Sequence, residues 1–451
     1  MCLRNGLAGL VAALLPLAAG AASSTAPQPP QAVLFENVRI FDGTSARLSA
    51  PSNVLVVGNL IQSISSLAVA PPAGATLTRI QGGGRTLMPG LIDNHVHIAL
   101  STTGQADLLS PATTAEVLQA RATAEAGDML MRGFTSVRDM GGPLLTARPA
   151  IDKGELPGPR IYASGAMISQ TSGHGDSRLP QERSRRFFGE VSKGEQLGAN
   201  YIADGRDEVL TATRENLRAG ATQIKVMAGG GAASAYDPLD VTQYTLDEMK
   251  AAVEAASDWN TYVTVHAYTP RAVRRAVEAG VLCIEHGQLL DEDTMKLLAD
   301  EGIWLSLQAL DPAPPTAPES TRLKKAQVID GTDNAFTWAK KYGVKLAWGT
   351  DYLFDPRQNA RQAADILKLK QWFTAAEILK MVTHDNAQLL ALSGPRNPYQ
   401  AGKLGVVEAG AYADLLLVDG DPMANVDLIG DPAKNFVVIM KDGKVYKNTL
   451  R

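Results

Sequence analysis

Four of the six histidines in this 451-residue chain stand where a metal site would need them. The pair His95-x-His97 closes the run Pro89-Gly-Leu-Ile-Asp-Asn-His-Val-His97, and His266, His286 and Asp351 each end a later short apolar run. Residues two apart in a strand face the same way, so His95 and His97 can share one cation. Imidazole and carboxylate donors suit zinc and similar divalent ions. His95, His97, Lys225, His266, His286 and Asp351 supply enough ligands for two of them. One bound cation lowers the pKa of water to about 7, and two ions roughly 3.5–4 Å apart can hold a bridging hydroxide and polarise a carbonyl together. The chemistry implied is metal-dependent hydrolysis of a small molecule.

Other polar residues carry competing readings. Lys225 is flanked by Ile224 and Val226, so strand alternation turns it inward, where an unpaired ammonium is costly. On pattern alone it either reaches solvent or a carboxylate, or belongs to the site. The glycines at 229–231 lack the spacing of a phosphate loop, which removes the nucleotide reading. His174 lies in the Gly-rich segment Ser169-Gln-Thr-Ser-Gly-His-Gly-Asp176, and Tyr268 stands two residues beyond His266 on the same face. Tyr268 is a candidate substrate contact or a core-rim tyrosine, and on pattern alone His174 reads as a loop histidine. His384, in Val382-Thr-His-Asp-Asn-Ala387, reads as a surface or capping residue. Arg138 and Asp139 read as an ion pair shaping the mouth of the site. The proline-rich loop from Asp311 to Thr321 is a candidate rim or lid segment.

The elements that must position these groups are legible as alternating strand and helix patterns. Strands are expected to end near His97, Arg138, Gly165, Lys225, His266, His286, Gln308 and Asp351. Thr245-Leu-Asp-Glu248 is a capping box, and Thr269 before Pro270 signals a second helix start. Eight β/α units predict an α/β fold, a distorted (β/α)8 barrel over 89–399, with its chemistry at the C-terminal ends of the strands. Short β-rich runs over 33–88 and again over 400–451 predict a small β-sandwich built from both chain ends, the latter with an Asp442-Gly443 hairpin turn.

A net charge of −4 and the absence of a basic run give nucleic acid or an anionic membrane no electrostatic footprint. Residues 1–22 read as a signal peptide: Arg4, an apolar stretch from Leu7 to Ala19, then Ala19-Gly-Ala21. The expected location is secreted or periplasmic, with no membrane association after cleavage. Cys2 would leave with that segment, so only Cys283 remains and no internal disulfide is expected.

Taken together, Pro89-Gly-Leu-Ile-Asp-Asn-His-Val-His97, Gly133-Phe-Thr-Ser-Val-Arg-Asp139, Ile224-Lys-Val-Met227, Val265-His266, Glu285-His-Gly287, Gly349-Thr-Asp351, Gly402-Lys-Leu-Gly405 and Ala413-Asp-Leu415 resemble the amidohydrolase superfamily over nearly the whole chain beyond its first segment. Within it the chain looks most like the binuclear prolidase-like branch, with Xaa-Pro dipeptidases, N-acyl amino acid hydrolases and ochratoxin-type amidohydrolases. The resemblance implies a carbamate formed on Lys225 from carbon dioxide and bridging two divalent ions, zinc being the first expectation. His95, His97 and Asp351 would then bind the more buried ion, and His266 with His286 the more exposed one. It also implies that Asp351 moves the proton from the bridging water to the leaving nitrogen, that His174 meets the substrate carbonyl or carboxylate, and that the protein forms a homo-oligomer. The activity implied is hydrolysis of an amide to an amino acid, in a dipeptide, an N-acyl amino acid or an ochratoxin-like conjugate. Two alternatives compete with it. A cyclic amide or imidazolone hydrolase shares the first motif, but such relatives often lack the lysine; a catalytically decayed scaffold predicts missing ligands.

Overall fold

The computed structural model describes residues 30–450, Ala235 excepted. The signal-peptide expectation over 1–22 therefore falls outside the described residues.

Eight parallel strands carry the site: β1 (Leu91–Val96), β2 (Phe134–Asp139), β3 (Arg160–Ala163), β4 (Ile224–Met227), β5 (Val263–Ala267), β6 (Cys283–His286), β7 (Trp304–Leu307) and β8 (Lys345–Trp348). Each ends within three residues of the position expected from the sequence. Their hydrogen bonding is split. β1 to β3 form one sheet, and β4 to β8 form another with the short strands Met167–Ser169 and Asn200–Ile202 added beyond β4. Side chains and loop amides bridge the two seams. Asn386 Nδ2 donates to Ile92 O (2.7 Å) and Trp348 O (2.9 Å), tying β1 to β8. Just above, Asp351 N donates to His95 O (2.8 Å). At the other seam Thr222 N donates to Ala163 O (2.8 Å) and Gln223 Nε2 to Tyr162 O (3.1 Å). These links bring the strands round on one another, consistent with the distorted barrel expected.

β1 to β7 are buried along their whole length, as parallel strands covered by helices must be, and their polar side chains include those that build the site and its supports. The helices between them bury one face each. In Pro270–Ala279 that face is Ala272, Val273, Ala276 and Ala279, at helical spacing. The capping box at Thr245 and Glu248 is formed. Thr269 stands at its helix start with Pro270 next, but its hydroxyl makes no cap bond and is buried without a partner; the fixed φ of proline begins this helix without it.

The two chain ends meet in one eight-stranded sheet. Its order runs Lys444–Asn448, Phe436–Lys441, Leu415–Val418, Thr86–Pro89, Gln31–Ile40, Ser52–Val57, Leu60–Ser65, with Thr76–Gln81 parallel to Gln31–Ile40. The hairpin turn is as expected: Asp442 and Gly443 have φ of 55° and 73°, the left-handed pair that a tight two-residue turn demands. Val33, Phe35, Val54, Val56, Leu415, Leu417 and Val438 share its apolar core. Arg160 on β3 locks this sheet to the barrel strands, pairing with Asp414 (2.8 Å) and Asp442 (2.5 Å). No helix among the described residues is long and apolar enough to cross a membrane.

Candidate metal centre

His95, His97 and Asp351 converge: one ligand atom from each lies within 4.8 Å of the others. Each histidine ring has one nitrogen committed to an oxygen. His95 Nδ1 meets Glu285 Oε2 (2.8 Å), and His97 Nδ1 donates to Gly141 O (2.8 Å). His266 Nε2 donates to Gly230 O (3.1 Å), and His286 Nδ1 to Gln308 Oε1 (2.7 Å). An ionised carboxylate and a carbonyl can only accept, so these contacts place one proton and, in the neutral ring, leave the opposite nitrogen with a lone pair. For His95 and His97 that lone pair faces Asp351 Oδ1, at 3.3 and 3.2 Å.

Three acceptors pointed at one another repel unless a cation lies between them. An ion pair with protonated His95 is the alternative, but burial pushes His95 down to about 4, so its ring is neutral near pH 7. His95 Nε2 is moreover buried with no hydrogen-bond partner. The donor set fits a divalent cation.

His286 lies next to this triad, its ring 5.1 Å from that of His95 and its Nδ1 3.9 Å from Asp351 Oδ2. His266 follows at 4.4 Å between ring centroids. Burial pushes His286 down to about 3 and His266 well below its ordinary value, which keeps both in the form that binds metal. Lys225 is 1 % exposed, and its ammonium makes no hydrogen bond or ion pair among the described residues. Burial lowers its pKa, with Glu285 and Asp351 opposing, and so favours the neutral amine. Asp351 is held well below the usual carboxylate range: burial raises it, but the surrounding histidines, His95 foremost, outweigh that.

Two of these residues reach the site through unusual backbone. Strand register sets Lys225 opposite Thr264, His266 opposite Glu285 and Glu285 opposite Ser306. Alternation therefore aims Glu285, not His286, into the interior. His286 has φ 80°, a left-handed value that turns it back toward the site, and Asp351 has φ 55°. Non-glycine residues in this region cost of order 1–3 kcal/mol each and cluster at functional sites.

His174 stacks on His266, with centroids 4.0 Å apart and planes 23° apart, and Tyr268 meets His266 edge-on at 5.0 Å. All eight expected site residues thus form one cluster. His384 stands apart, its Nδ1 against Asp385 Oδ1 (2.8 Å) on a partly exposed helix.

One expectation is corrected. Arg138 and Asp139 are not an ion pair, because adjacent residues on a strand face opposite ways. Arg138 is fully buried against Glu285 (2.7 Å), Asn94 O (2.7 Å) and the Tyr262 hydroxyl (3.1 Å). Asp139 is buried near His97 instead, and burial pushes it up to about 7. Sequence reasoning also gave no role to Glu285 and Gln308, which orient His95 and His286, although Glu285 lies inside a quoted motif. Asp93 was missed in the same way: buried in the first motif, it accepts from His95 N (3.0 Å), Thr350 Oγ1 (2.8 Å) and Gln362 Nε2 (3.0 Å).

The amidohydrolase family model matches residues 86–448, taking in every strand of the ring and every residue of this cluster. The chain belongs to the amidohydrolase family. It is therefore a hydrolase of the amide-cleaving class. The ochratoxinase of Aspergillus niger is 29 % identical over 418 residues, covering 90 % of this chain and 84 % of that protein. Among solved structures, a prolidase complexed with N-methylphosphonate-L-proline superposes with a TM-score of 0.83 at 31 % identity, over 93 % of this chain and all of that one. A Xaa-Pro dipeptidase with methionine bound in its active site gives 0.77 at 28 % identity, over 92 % of this chain and all of that one.

Proposed function

We propose that this amidohydrolase uses a binuclear metal centre to cleave the amide joining an acyl group or amino acid to the nitrogen of an amino acid. The observation that carries the reading is the convergence of His95 Nε2, His97 Nε2 and Asp351 Oδ1, with His95 Nε2 buried and without a hydrogen-bond partner. His95, His97 and Asp351 would hold one ion, His266 and His286 a second, and Lys225 both, as the carbamate. A buried neutral amine is the form that attacks carbon dioxide, losing one proton as the carbamate forms. When bound, the ions, with zinc the first expectation, supply an activated water near neutral pH and polarise the scissile carbonyl.

The chain's own residues do the rest. Asp351 is a carboxylate at neutral pH and lies at the centre of the cluster, placed to take a proton from the attacking water and return it to the leaving nitrogen. Tyr268, 4 % exposed and set edge-on to His266, offers its hydroxyl to the substrate, and His174 offers a ring nitrogen. The relatives named ochratoxinase, prolidase and Xaa-Pro dipeptidase favour a substrate that ends in an amino acid. The arrangement of both chain ends as a small sandwich beside a distorted (β/α)8 barrel, export from the cytoplasm and homo-oligomer formation belong to the same reading.

The test is to incubate metal-replete protein with a panel of dipeptides and N-acyl amino acids and to quantify released amino acid by mass spectrometry. Release from a subset sharing one C-terminal residue type is expected. No release across the panel would overturn the reading and favour cyclic amides or esters.

A further inference from the structure

His174 is held by a cluster that contains none of the candidate metal ligands, although its ring stacks on one of them, His266. Its Nδ1 is 2.9 Å from Ser234 Oγ and 3.2 Å from Asp237 Oδ2. The Asp237 side chain is 1 % exposed, and its Oδ2 also accepts from Gly231 N (2.7 Å). Its other oxygen, Oδ1, is buried without any hydrogen-bond partner. Burial pushes this carboxyl up, but bonds from His174, Ser234 and the Gly231 amide bring it below its ordinary value, so it is ionised. A buried carboxylate with one oxygen unsatisfied is costly to keep. Its stabilising contacts are to the loop that carries it and to His174.

The loop is itself braced. Lys324, on the helix Glu319–Tyr342, donates its Nζ to Ser234 O (2.6 Å) and Asp237 O (3.2 Å). From the other side Gln243 Oε1 accepts from His174 N (2.9 Å). Gly231 lies flat beneath the imidazole, where a Cβ would overlap the ring. The ring is thus fixed on every side except the one occupied by His266 and the substrate space.

We infer that Asp237 is a positioning residue for the reaction: it holds the proton of His174 on Nδ1 and so presents Nε2 to the substrate. An ionised carboxylate is acceptor-only, so the nitrogen facing it must be the donor. His174 Nε2 makes no hydrogen bond among the described residues, and with the proton on Nδ1 it is the ring atom left to accept from a substrate N–H or O–H. Without Asp237, Ser234 can either donate or accept, and neither the tautomer nor the ring orientation is specified. This rests on the reading that His174 contacts the substrate.

The test uses a substrate from the panel that the wild-type protein cleaves. Asp237→Ala is expected to lower kcat/KM by about 10- to 100-fold, the usual range for losing an orienting partner. Asp237→Asn, whose amide oxygen can accept from both Nδ1 and Gly231 N, should recover most of that loss. In a His174→Ala background the same Asp237→Ala change should cost less than about threefold, because the group it orients is gone. An equal loss in both backgrounds, an Asn variant as poor as the Ala variant, or no loss at all would overturn the inference. If the wild type cleaves nothing in the panel, the parent reading fails while this one remains open to test. Nitrogen-15 shifts of His174 would then decide it: a protonated Nδ1 supports the dyad, and a bare Nδ1 overturns it.

Discussion

Removing the charge of Glu285 should destabilise the metal-free protein more than any other single isosteric change near the site. Glu285 accepts from Arg138 Nη2 (2.7 Å), His95 Nδ1 (2.8 Å) and Cys283 Sγ (3.3 Å), with Thr264 Oγ1 also bonded to it. Arg138 and Glu285 are both 0 % exposed, and Arg138's other partners are uncharged: Asn94 O, Tyr262 and Cys283. Glu285→Gln keeps the volume and one acceptor oxygen, so no cavity opens. It leaves a buried guanidinium with no counter-charge, which costs about 3–5 kcal/mol. Set against a typical total stability of about 5–15 kcal/mol, that is a large fraction. Urea denaturation of chelator-treated protein, followed by tryptophan fluorescence, would read it as a lowered midpoint with unchanged slope. The pair Arg138→Met with Glu285→Gln should recover part of the loss, because the unpaired charge is then gone. A single variant within about 1 kcal/mol of wild type would refute the account of Glu285 as the counter-charge.

Further outcomes follow from the same geometry. Asp351→Asn should lower kcat by at least about 10²–10⁴-fold, the range for a lost acid–base group, while circular dichroism stays native; unchanged turnover would remove Asp351 from proton transfer. Burial raises the pKa of Asp139 to about 7 from the ordinary carboxylate value of 3.8. The folded state therefore binds its proton more tightly than the unfolded chain, and the contribution of this group to stability is lost as pH rises through the window from about 4 to 7. Asp139→Asn removes that dependence, so in chelator-treated protein the variant should gain up to about 4 kcal/mol on wild type between pH 4 and 7; parallel stability curves would contradict the burial argument. Gly349 packs so closely on β1 that a Cβ would overlap His95 N and Cβ and crowd Asp93. Gly349→Ala should cost about 1–3 kcal/mol and lower metal content measured by plasma emission, since the displaced strand carries His95; full metal content with native stability would show that β1 can give way.

Much of the site was legible because its signals are local. The strand ends could be found from apolar runs, since each strand is short, buried and bounded by polar or glycine-rich turns. His95 and His97 follow the two-residue period, and His266 and Tyr268 repeat it. The Asp442-Gly443 turn announced its hairpin through the only residue types that take left-handed φ easily. Where two readings were open, as for Lys225, the pattern gave its inward direction but not what it would meet.

The rest depended on atoms distant in sequence. Arg138 was assigned to its neighbour Asp139, but the pleat puts neighbours on opposite faces, and its true partner Glu285 is 147 residues away. Strand alternation taken alone would aim Glu285 inward and His286 outward; only the left-handed φ of His286 brings both to one site, one as a candidate ligand and one as the support of another. Asp237 carries no motif at all, and its meaning comes from a ring 63 residues earlier. The sequence by itself determined which residue types stand at the strand ends, and with them the family and the class of chemistry, because periodicity and turn preference act over a few residues. Which nitrogen of each histidine is free, which carboxylate neutralises which cation, and which side chain steadies the substrate contact were decided only by the tertiary structure, since hydrogen bonds and charges act through space and ignore separation along the chain.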